Sequence, residues 1–589
     1  MTDTIHVSVA WPYPNGRPHG GHLAGAFLPG DIFARYHRLK GNRVLMVSGS
    51  DTHGTPILIL ADQEGLTPAQ AVDKYHHIFL EVQQQLGISY DLFTHTDTEN
   101  HHRISQDFFL KLLDHGYLYL DKQKLFFDEK AGRFLPDRFV EGTCPVCGYD
   151  KARGDQCDNH GGLLDPLDLI NPRSKLTGTT PVVRETEHYF LDLAKLREPL
   201  RDYLNSDKDF WRPNVINLAR SMVDDLRGRP ITRDIDWGIP VPLDGWDGKC
   251  LYVWFEAVIG YFSASLEWAK NNGQPDAWKD WWYNPQARIY NFLGKDNVPF
   301  HTIIWQAELI GSSGIYSDDP DQELNLPYDV PANEFMNVKG GKFSKSEHRA
   351  IWLPDLLERY QPDAIRYYFT CNMPESRDTD FTWEDFVTRN NTELVAWWGN
   401  LANRVLQFTN KYWDGCVPDP GSLRPDDTAL LAKIEAGFQA VGELYEAVRL
   451  RPALSEAMGL AREVNVYLDS APWFGAVKTD KQAAATTVYT ALQAIDHLLT
   501  LLSPVLPFTS QKLYTMLGYE GQLFGDLNIV TVQEQTRSHD ALVYDPSKAI
   551  GRWEPRQLRP GQKFGPIQPL YQKLDDKVAE EENARMEVS

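Results

Sequence analysis

The sequence predicts an α/β protein in which a parallel-sheet domain is split by an insert and followed by an all-α domain. Short β-prone runs that end in Pro/Gly-rich turns and lead into helical apolar spacing occur in the first hundred residues and again after residue 231. Short strand-like pieces with paired cysteines lie between these two regions. From about Trp383 the apolar residues follow helical spacing alone. Together these observations indicate a Rossmann-type sheet in two halves, a zinc-binding insert and a helical bundle.

The first strand, turn and helix form the most informative stretch. Residues 5–10 are β-prone and run into a Pro/Gly/Asn cluster, and residues 23–40 carry apolar side chains at helical spacing. In such a unit the first helical amides are unpaired and the helix dipole is positive there, so we expect an anion site at the end of the strand. His19 and His22 would share one face beside bound phosphates. Taken alone, a plain polar turn explains the segment equally well.

A second unit of the same kind follows. Residues 43–47 predict a strand, the next polar residues include Asp51 and His53, and a helix is expected to start near Ile57. Because open α/β sheets bind ligands at the carboxyl ends of their strands, Asp51 and His53 are candidate site residues. Helix capping is the alternative role for Asp51.

The insert contains four candidate metal ligands. Cys144 and Cys147 are spaced by two residues, as are Cys157 and His160, and nine residues separate the pairs. This spacing lets two turns direct three thiolates and one imidazole at a tetrahedral Zn²⁺. Incidental thiols are the weaker interpretation, because the Gly/Asp-rich linker offers little core to hold the loop otherwise. No coordination position is left for water, so we expect one structural Zn²⁺ per chain.

The second half of the sheet is expected at residues 251–261 and 289–305, where a strand ends in a Gly-Lys-Asp turn. A Gly-rich loop with Lys342, Ser344 and Lys345 follows. Mobile ammonium groups on a flexible backbone suit closure over a polyphosphate and stabilisation of the charge that develops as pyrophosphate leaves. A loop of this composition is by itself usually solvated surface.

Composition excludes several classes of protein. The formal charge is 59 − 81 = −22, which argues against nonspecific coating of nucleic acid. No apolar run is long enough to cross a bilayer and the first residues do not look like a signal peptide, so we expect a cytoplasmic protein without membrane contact. Six cysteines in 589 residues do not make a disulfide framework. The acidic run at 575–582 is expected to fray.

Taken together and in this order, His-Gly-Gly-His at 19–22 and Lys-Phe-Ser-Lys-Ser at 342–346 resemble the HIGH and KMSKS signatures of class I aminoacyl-tRNA synthetases. Within this family the chain is most similar to the methionine-specific members. The matching stretches are Ala10-Trp-Pro-Tyr13, Gly49-Ser-Asp51-Thr-His53-Gly, the cysteine motif, Tyr252-Val-Trp254, Gly294-Lys-Asp296 with His301, and Asn400, Arg404 and Trp473. The chain departs from many members at Trp11, His160, Val258 and Asn297.

The resemblance implies an enzyme that joins L-methionine to the 3′ end of tRNA(Met). The methionine carboxylate would attack the α-phosphorus of ATP, which carries Mg²⁺, and methionyl-adenylate would then acylate the 2′-hydroxyl of the terminal adenosine. Because the attacking carboxylate is already ionised, catalysis requires positioning and charge stabilisation rather than a general base.

The resemblance also assigns roles to individual residues. The catalytic residues would be His19, His22, Lys342 and Lys345. ATP would be bound by Gly21, Gly294, Asp296 and Ser344. The methionine side chain and ammonium would contact Trp11, Tyr13, Asp51, Trp254, Ala257, Val258, Tyr261 and His301, because aromatic walls suit a thioether. The anticodon would be read by Asn400, Arg404 and Trp473, and zinc would be held by Cys144, Cys147, Cys157 and His160.

The expected domains follow the same order along the chain. They are the first half of the catalytic domain (1–116), the connective insert (117–230), the second half (231–325), the KMSKS-type loop with a stem-contact region (326–385), the helical anticodon-binding domain (386–540) and a tail (541–589). The tail is expected to fold back on the body. Since little chain follows the bundle, we expect a monomer without an appended dimerisation module.

Other functions stay open at this point. One is an adenylate-forming relative that charges no tRNA, against which the helical bundle with Arg404 and Trp473 argues. Another is a noncatalytic RNA-binding paralogue, which the intact histidines and lysines make less favourable. A synthetase for another apolar amino acid is the nearest competitor, although nothing resembles the large editing insert common among those. Pyrophosphate exchange separates the catalytic from the noncatalytic classes.

Overall fold

The computed structural model describes residues 2–135, 139–154, 157, 159, 164–338, 341 and 350–588. Its central sheet has seven strands, labelled here in chain order: β1 Thr4–Val9, β2 Arg43–Ser50, β3 Leu92–His95, β4 Arg288–Gly294, β5 Ala332–Asn333, β6 Asp526–Gln533 and β7 Ser538–Asp545. The spatial order is β5-β4-β1-β2-β3-β7-β6. The first five strands of this order are parallel to one another. The predicted parallel sheet in two halves is therefore confirmed.

The strand order reverses between β1 and β4, which pair with each other from Ile5 and Arg288 to Val9 and Phe292. The connections that leave these two strands therefore diverge, and the gap between them is where doubly wound sheets bind ligands. Both faces of the sheet are covered by helices. They are Gly20–His22, Leu23–Phe27, Leu28–Leu39, Thr55–Glu64, Pro68–Leu86, Glu99–Asp114, Val253–Asn271, Phe300–Ile304 and Trp305–Gly311.

The insert forms a separate β-rich unit. Its four-stranded sheet has the order Arg229–Pro230, Val182–Leu191, Leu118–Asp128, Arg133–Phe134. A three-stranded sheet of Ala152–Arg153, Val140–Thr143 and Ile170–Ser174 surrounds the cysteine segment. Two helices, Arg197–Asn205 and Pro213–Val223, and the short strands Thr232–Arg233 and Cys250–Leu251 lead back to the sheet domain.

The predicted all-α region begins close to its expected position. A parallel strand pair, Met336–Val338 with Thr379–Phe381, and the helices Leu353–Arg359 and Pro362–Cys371 precede it. Its helices are Trp383–Arg389, Asn390–Gly399, Asn400–Tyr412, Pro425–Glu446, Leu450–Ser470, Lys481–Leu502 and Pro507–Met516. Leu430, Ile434 and Val441 are buried between them, as helical spacing predicted. None of the described helices is both long and apolar enough to cross a membrane.

The C-terminal part departs from the sequence expectation in two places. The hairpin β6–β7 falls mostly inside the range predicted to be helical, and β7 pairs antiparallel with β3 at the edge of the catalytic sheet. The tail does fold back on the body, but the expectation that its acidic run frays is wrong. Val578–Val588 is a helix, and Glu582, only 2% exposed, pairs with Arg359 at 2.7 Å.

Candidate functional site

A cleft lies where β1 and β4 diverge. The first wall is the turn after β1 with the start of its helix, and the second wall is the turn Lys295–Asn297 after β4. A cavity of about 350 Å³ between them is lined by Trp11, His19, Gly21, His22, Gly294, Asp296, Asn297 and Met336, among others. Five residues assigned to catalysis or ATP binding thus face one space: His19, Gly21, His22, Gly294 and Asp296.

The two histidines form one unit at the helix start. His19 caps the helix: its Nδ1 accepts the Gly21 amide at 3.1 Å, while the His19 amide donates to His22 Nδ1 at 3.2 Å. The two rings stack with centroids 3.8 Å apart. A π-turn, Leu23–Phe27, follows immediately, a feature often found at functional sites.

The expectation that the first helical amides are unpaired is wrong. Gly20 N donates to the Ile351 carbonyl at 2.8 Å, Gly21 N to His19, and His22 N to the His19 carbonyl at 3.0 Å. Donors for an anion must therefore come from side chains. The partner Ile351 lies more than three hundred residues away, so no local pattern could have revealed this contact.

The structure describes Gly341 of the glycine-rich lysine loop and the residues on either side of the loop. Lys342, Ser344 and Lys345 lie outside the described residues. The described residues on either side of the loop are close to the cleft: Met336 lines the cavity, and Trp352 forms a β-bridge with His19. The described residues that flank the loop therefore lie beside the cleft.

An inner pocket, defined by Trp11, Tyr13, Trp254, Tyr261 and His301, adjoins the cleft. Tyr13 meets Trp254 edge to face with centroids 5.9 Å apart. Trp254 also stacks on Phe300 at 4.3 Å, a residue that sequence analysis missed. The pocket thus has rings on several sides, brought together from the turn after β1, helix Val253–Asn271 and the π-turn Phe300–Ile304.

The indole of Trp11 fits because two glycines make room for it. A Cβ atom on Gly49 would overlap the indole ring, and one on Gly260 would lie 2.8 Å from its Cε2 atom. The His101 ring stacks below the indole at 6.3 Å. The large side chain of Trp11 is therefore accommodated by the close approach of two glycine backbones.

The polar groups of the inner pocket carry no charge at neutral pH. Since the Asn297 carbonyl can only accept, His301 Nδ1 donates to it at 2.9 Å, and His301 Nε2 accepts the Tyr261 hydroxyl at 2.6 Å. Burial lowers the pKa of His301 to about 4. Ala257 is buried beside these groups, whereas Val258 belongs to the core behind the pocket. An uncharged pocket of this kind favours an apolar side chain.

Asp51 is a buried acid beside Tyr13 and Tyr261 of the inner pocket. Its side chain is buried, and its Oδ1 atom has no hydrogen-bond partner. Burial, and then the nearby Glu256, raise the pKa of Asp51 well above its ordinary value. An ammonium group bound beside a buried carboxyl group with a raised pKa stabilises its ionised form.

His53 belongs to a charged cluster behind Asp51. Its Nδ1 donates to Glu256 at 2.8 Å, and its Nε2 lies 3.7 Å from Asp97. Burial alone would lower the pKa of His53, but Glu256 and Asp97 raise it to about 10. His101 Nε2 contacts the second oxygen of Glu256 at 2.8 Å. His53 is therefore a cation that favours the ionised form of Asp51. Sequence analysis did not identify its neighbours Glu256, Asp97 and His101.

Three cysteines of the insert converge. The Sγ atoms of Cys144, Cys147 and Cys157 lie within 4.8 Å of one another. The Cys147 and Cys157 sulfurs are 3.5 Å apart, which is too long for a disulfide. The Val146 amide donates to Cys144 Sγ at 3.4 Å, a contact that favours a thiolate. This donor set fits tetrahedral Zn²⁺. His160 lies outside the described residues.

A second candidate site lies on the helical domain. Arg404 lies one turn after Asn400, and its guanidinium is 5.7 Å from the centre of the Trp473 ring. Two contacts fix the Trp473 side chain. Its Nε1 donates to the Leu468 carbonyl at 3.0 Å, and its ring packs edge to face with Phe408 at a centroid distance of 4.9 Å. The structure thus brings Arg404 and Trp473 together as predicted.

More residues belong to this surface than the sequence indicated. Arg462 lies 3.7 Å above the Trp397 ring, and Asn465 bridges the Arg404 side chain to the Trp397 carbonyl at 2.9 and 3.0 Å. Phe474 is 73% exposed beside Trp473. We call Trp397, Arg404, Arg462, Trp473 and Phe474 the bundle surface. The adjacent aromatic residues Trp473-Phe474 are the sequence feature that indicates this surface.

The histidine pair in the cleft, the inner pocket and the bundle surface fit a class I aminoacyl-tRNA synthetase. The family model described as "tRNA synthetases class I (M)" matches residues 5–406, and the model "Anticodon binding domain of methionyl tRNA ligase" matches residues 417–542. The chain belongs to the methionyl-tRNA synthetase family.

Individual relatives agree over the full length. Methionine–tRNA ligase of Thermomicrobium roseum is 54% identical, covering 100% of this chain and 99% of the relative, and that of Thermobifida fusca is 47% identical, covering 100% of both. The crystal structure of Mycobacterium tuberculosis methionyl-tRNA synthetase bound by methionyl-adenylate superposes with a TM-score of 0.74 at 24% identity, covering 97% of this chain and 100% of that one. The structural match supports the fold.

Proposed function

We propose that the cleft and the inner pocket activate L-methionine with ATP and that the bundle surface selects the tRNA that receives it. The activity is that of a methionine–tRNA ligase, which the family establishes. The observation that carries the residue assignments is the placement of Asp51. Its carboxylate has one oxygen without a hydrogen-bond partner and lies beside Tyr13 and Tyr261 of the ring-lined pocket, and its amide donates to the carbonyl of Pro12, which lines the cleft.

Methionine fits the inner pocket through two complementary contacts. Its ammonium places a second positive charge, in addition to His53, beside Asp51, which favours the ionised form of this acid. Its thioether packs against the rings of Trp11, Trp254 and Tyr261, at about 0.3–1.5 kcal/mol per sulfur–ring contact. The neutral His301–Tyr261 pair adds polar atoms without a charge to desolvate. Methionine's carboxylate then faces the cleft.

ATP binds in the cleft as its Mg²⁺ complex. His19 and His22 contact the phosphates, and Asp296 and the backbone at Gly21 and Gly294 contact the nucleoside. The methionine carboxylate displaces pyrophosphate from the α-phosphorus, and the imidazoles stabilise the negative charge on the transferring phosphoryl group. Since the helix amides are already occupied, these side chains supply the donors.

The lysine loop acts at the same step. Lys342 and Lys345, with Ser344, close over the polyphosphate and neutralise the leaving pyrophosphate. This assignment depends on the sequence motif and on the position of the residues that flank the loop. Loops of this kind move during catalysis, so their contacts belong to the transition state more than to bound ATP.

The bundle surface recognises the anticodon. Exposed rings stack on single-stranded bases and arginine reads their edges. Asn400, Arg404 and Trp473 are the assigned contacts, and the neighbouring Phe474 offers a further ring face. At a net charge of −22, recognition must depend on such placed groups rather than on a general basic surface.

The insert binds zinc through Cys144, Cys147 and Cys157, with His160 as the fourth ligand by sequence spacing. Bound there, the metal closes a loop that has a core of only a few residues, among them Phe139 and Val140. Its role is structural. The predicted domain boundaries, the monomeric state and the cytoplasmic location stay predictions from the sequence.

The loop assignment is tested by steady-state pyrophosphate exchange with Lys345→Ala. We expect kcat to fall by about 10²–10³-fold with a much smaller change in the KM for ATP, because a transition-state contact is lost. Lys433→Ala, a surface lysine of the helical domain, is the matched control and should match wild type. A large rise in KM at unchanged kcat would contradict the role given to the loop.

A further inference from the structure

The tip of the hairpin β6–β7 docks against the sheet domain close to the inner pocket. Glu534 accepts the amides of Glu99 and Asn100, both at 3.0 Å, at the start of helix Glu99–Asp114. In return the Glu99 carboxylate accepts the amides of Gln535 and Thr536 at 3.0 and 2.7 Å. The tip and the helix therefore cap each other, with every one of these amides paired to a carboxylate.

Arg537 extends this contact into the charged cluster behind Asp51. Its two terminal nitrogens donate to the two oxygens of Asp97 at 2.8 and 2.9 Å. The Asp97 side chain is 9% exposed and that of Arg537 37%. A bidentate pair in this partly buried setting has a defined orientation, so Arg537 determines where the Asp97 carboxylate points.

Asp97 in turn holds the segment that carries Asp51. It lies 3.7 Å from His53 and 3.2 Å from His102. The adjacent Thr96 hydroxyl accepts the Thr52 amide at 2.9 Å. The Thr52 and Thr96 hydroxyls are also 2.8 Å apart, so residues 51–53 are held to residues 96–97 by two hydrogen bonds and one charge pair, directly beside the acid that receives the methionine ammonium.

The docked helix reaches the inner pocket by a second route. Its His101 contacts Glu256 at 2.8 Å and Ser263 at 2.7 Å, and its ring stacks below the Trp11 indole. Asn100 donates to the Ser263 carbonyl at 2.9 Å. The same helix start that the hairpin caps therefore supports one wall of the pocket.

The cluster could also be taken for a metal site, because His53, Asp97 and His102 bring three donor atoms within 4.8 Å. Arg537 argues against that interpretation. It occupies both oxygens of Asp97, and its positive charge lies next to the position that a divalent cation would take. The guanidinium supplies the positive charge that the cluster needs.

We infer that Arg537 is a positioning residue for the methionine site: through Asp97 and His53 it holds Asp51 in the orientation that binds the substrate ammonium. The inference rests on the proposed role of Asp51. It makes the C-terminal hairpin, which follows the helix Pro507–Met516 in the chain, a structural part of amino-acid selection.

Removing Arg537 has a specific expected effect. Without it Asp97 has only His53 and His102 as partners, and a shift of either imidazole moves residues 51–53. Arg537→Ala should raise the KM for methionine in pyrophosphate exchange about five- to tenfold, with the KM for ATP changed less than about twofold. Arg537→Lys keeps the charge but loses the bidentate geometry and should recover part of this loss.

Two controls make the result decisive. Lys548→Ala breaks an exposed ion pair with Asp526 at the other end of the hairpin and should leave both KM values unchanged. Thermal melting of each variant monitors folding. An unchanged KM for methionine in Arg537→Ala would overturn the inference, and so would a parallel rise in both KM values with a lowered Tm, because that pattern indicates general loosening.

Failure of this inference can be distinguished from failure of the proposed function. Asp51→Asn should lose methionine binding whatever the state of Arg537. If Asp51→Asn is strongly impaired while Arg537→Ala binds methionine normally, the proposed function stands and the positioning role is wrong. If both variants bind methionine normally, the assignment of the ammonium site is wrong and the inference falls with it.

Discussion

The inner pocket and the bundle surface are built in opposite ways. The pocket joins rings from three separate parts of the chain, and behind it a charged cluster connects β3, helix Val253–Asn271 and the C-terminal hairpin. The bundle surface takes residues from the helices Asn390–Gly399, Asn400–Tyr412 and Leu450–Ser470 and from the loop that follows the last of these, and its Phe474 ring is 73% exposed. In the proposed function the pocket encloses a small ligand, and the bundle surface meets single-stranded bases on an open face.

This difference predicts how each region tolerates change. An enclosed pocket loses affinity when any supporting group moves, since packing is dense and polar groups have few alternative partners. An open stacking face loses mainly the contact that is removed. Substitutions in the pocket should therefore affect every reaction that uses methionine, whereas those on the bundle surface should affect only reactions that use tRNA.

The largest effect is expected from Asp51→Asn. Losing the charged partner of a buried ammonium should lower kcat/KM for methionine in pyrophosphate exchange by about 10²-fold or more. Asp276→Asn, an exposed acid in the second half of the sheet domain, is the matched control and should behave like wild type. Normal methionine affinity in Asp51→Asn would contradict the role of Asp51 as the partner of the methionine ammonium.

The next largest effect is expected from Trp473→Ala. Loss of one stacking ring costs about 1–3 kcal/mol, so charging of a tRNA with a CAU anticodon should weaken by roughly one to two orders of magnitude. Pyrophosphate exchange without tRNA should stay nearly intact. Trp413→Ala, which packs on the same Phe408 ring, controls for packing of the bundle. If exchange falls in parallel with charging, Trp473 is a packing residue.

A smaller effect is expected at the zinc-binding insert, which belongs to neither region. Elemental analysis should find one zinc per chain, lost in Cys147→Ser and retained in Cys416→Ser. Because the cysteines lie in their own small core, Cys147→Ser should change pyrophosphate exchange less than about threefold while exposing the insert to proteolysis. Wild-type protein without zinc would contradict the assignment.

The smallest effect is a pH dependence of hairpin docking. Burial alone would lower the pKa of His539 in β7, but Glu267 and Glu534 raise it to about 9. A raised folded-state pKa adds stability that is complete below about pH 6.5, the unfolded value, and is lost as pH rises through 9. Wild type should therefore melt about 2 °C above His539→Gln at pH 6, with the difference vanishing near pH 10. A difference that grows with pH would contradict the ion pairs.

The same contrast explains what could be predicted from the sequence. The turn after β1 and the cysteine motif were found because their residues are close in the chain and their spacing has a physical meaning. The pairing of Arg537 with Asp97, 440 residues apart, leaves no periodic signal. Sequence analysis did not predict the hairpin, although Ile529-Val-Thr-Val532 is a β-prone run. Helical spacing dominated the surrounding region, and Phe93, which pairs with Leu542 of the hairpin, lies far away in the sequence.

We propose that the inner pocket selects methionine without help from tRNA. The most direct test is ATP–pyrophosphate exchange by the full chain with each of the apolar amino acids in turn, in the absence of tRNA. We expect rapid exchange with L-methionine and kcat/KM values at least about 10²-fold lower with leucine, isoleucine and valine. Equal or faster exchange with any of these three, or exchange that requires tRNA, would contradict it.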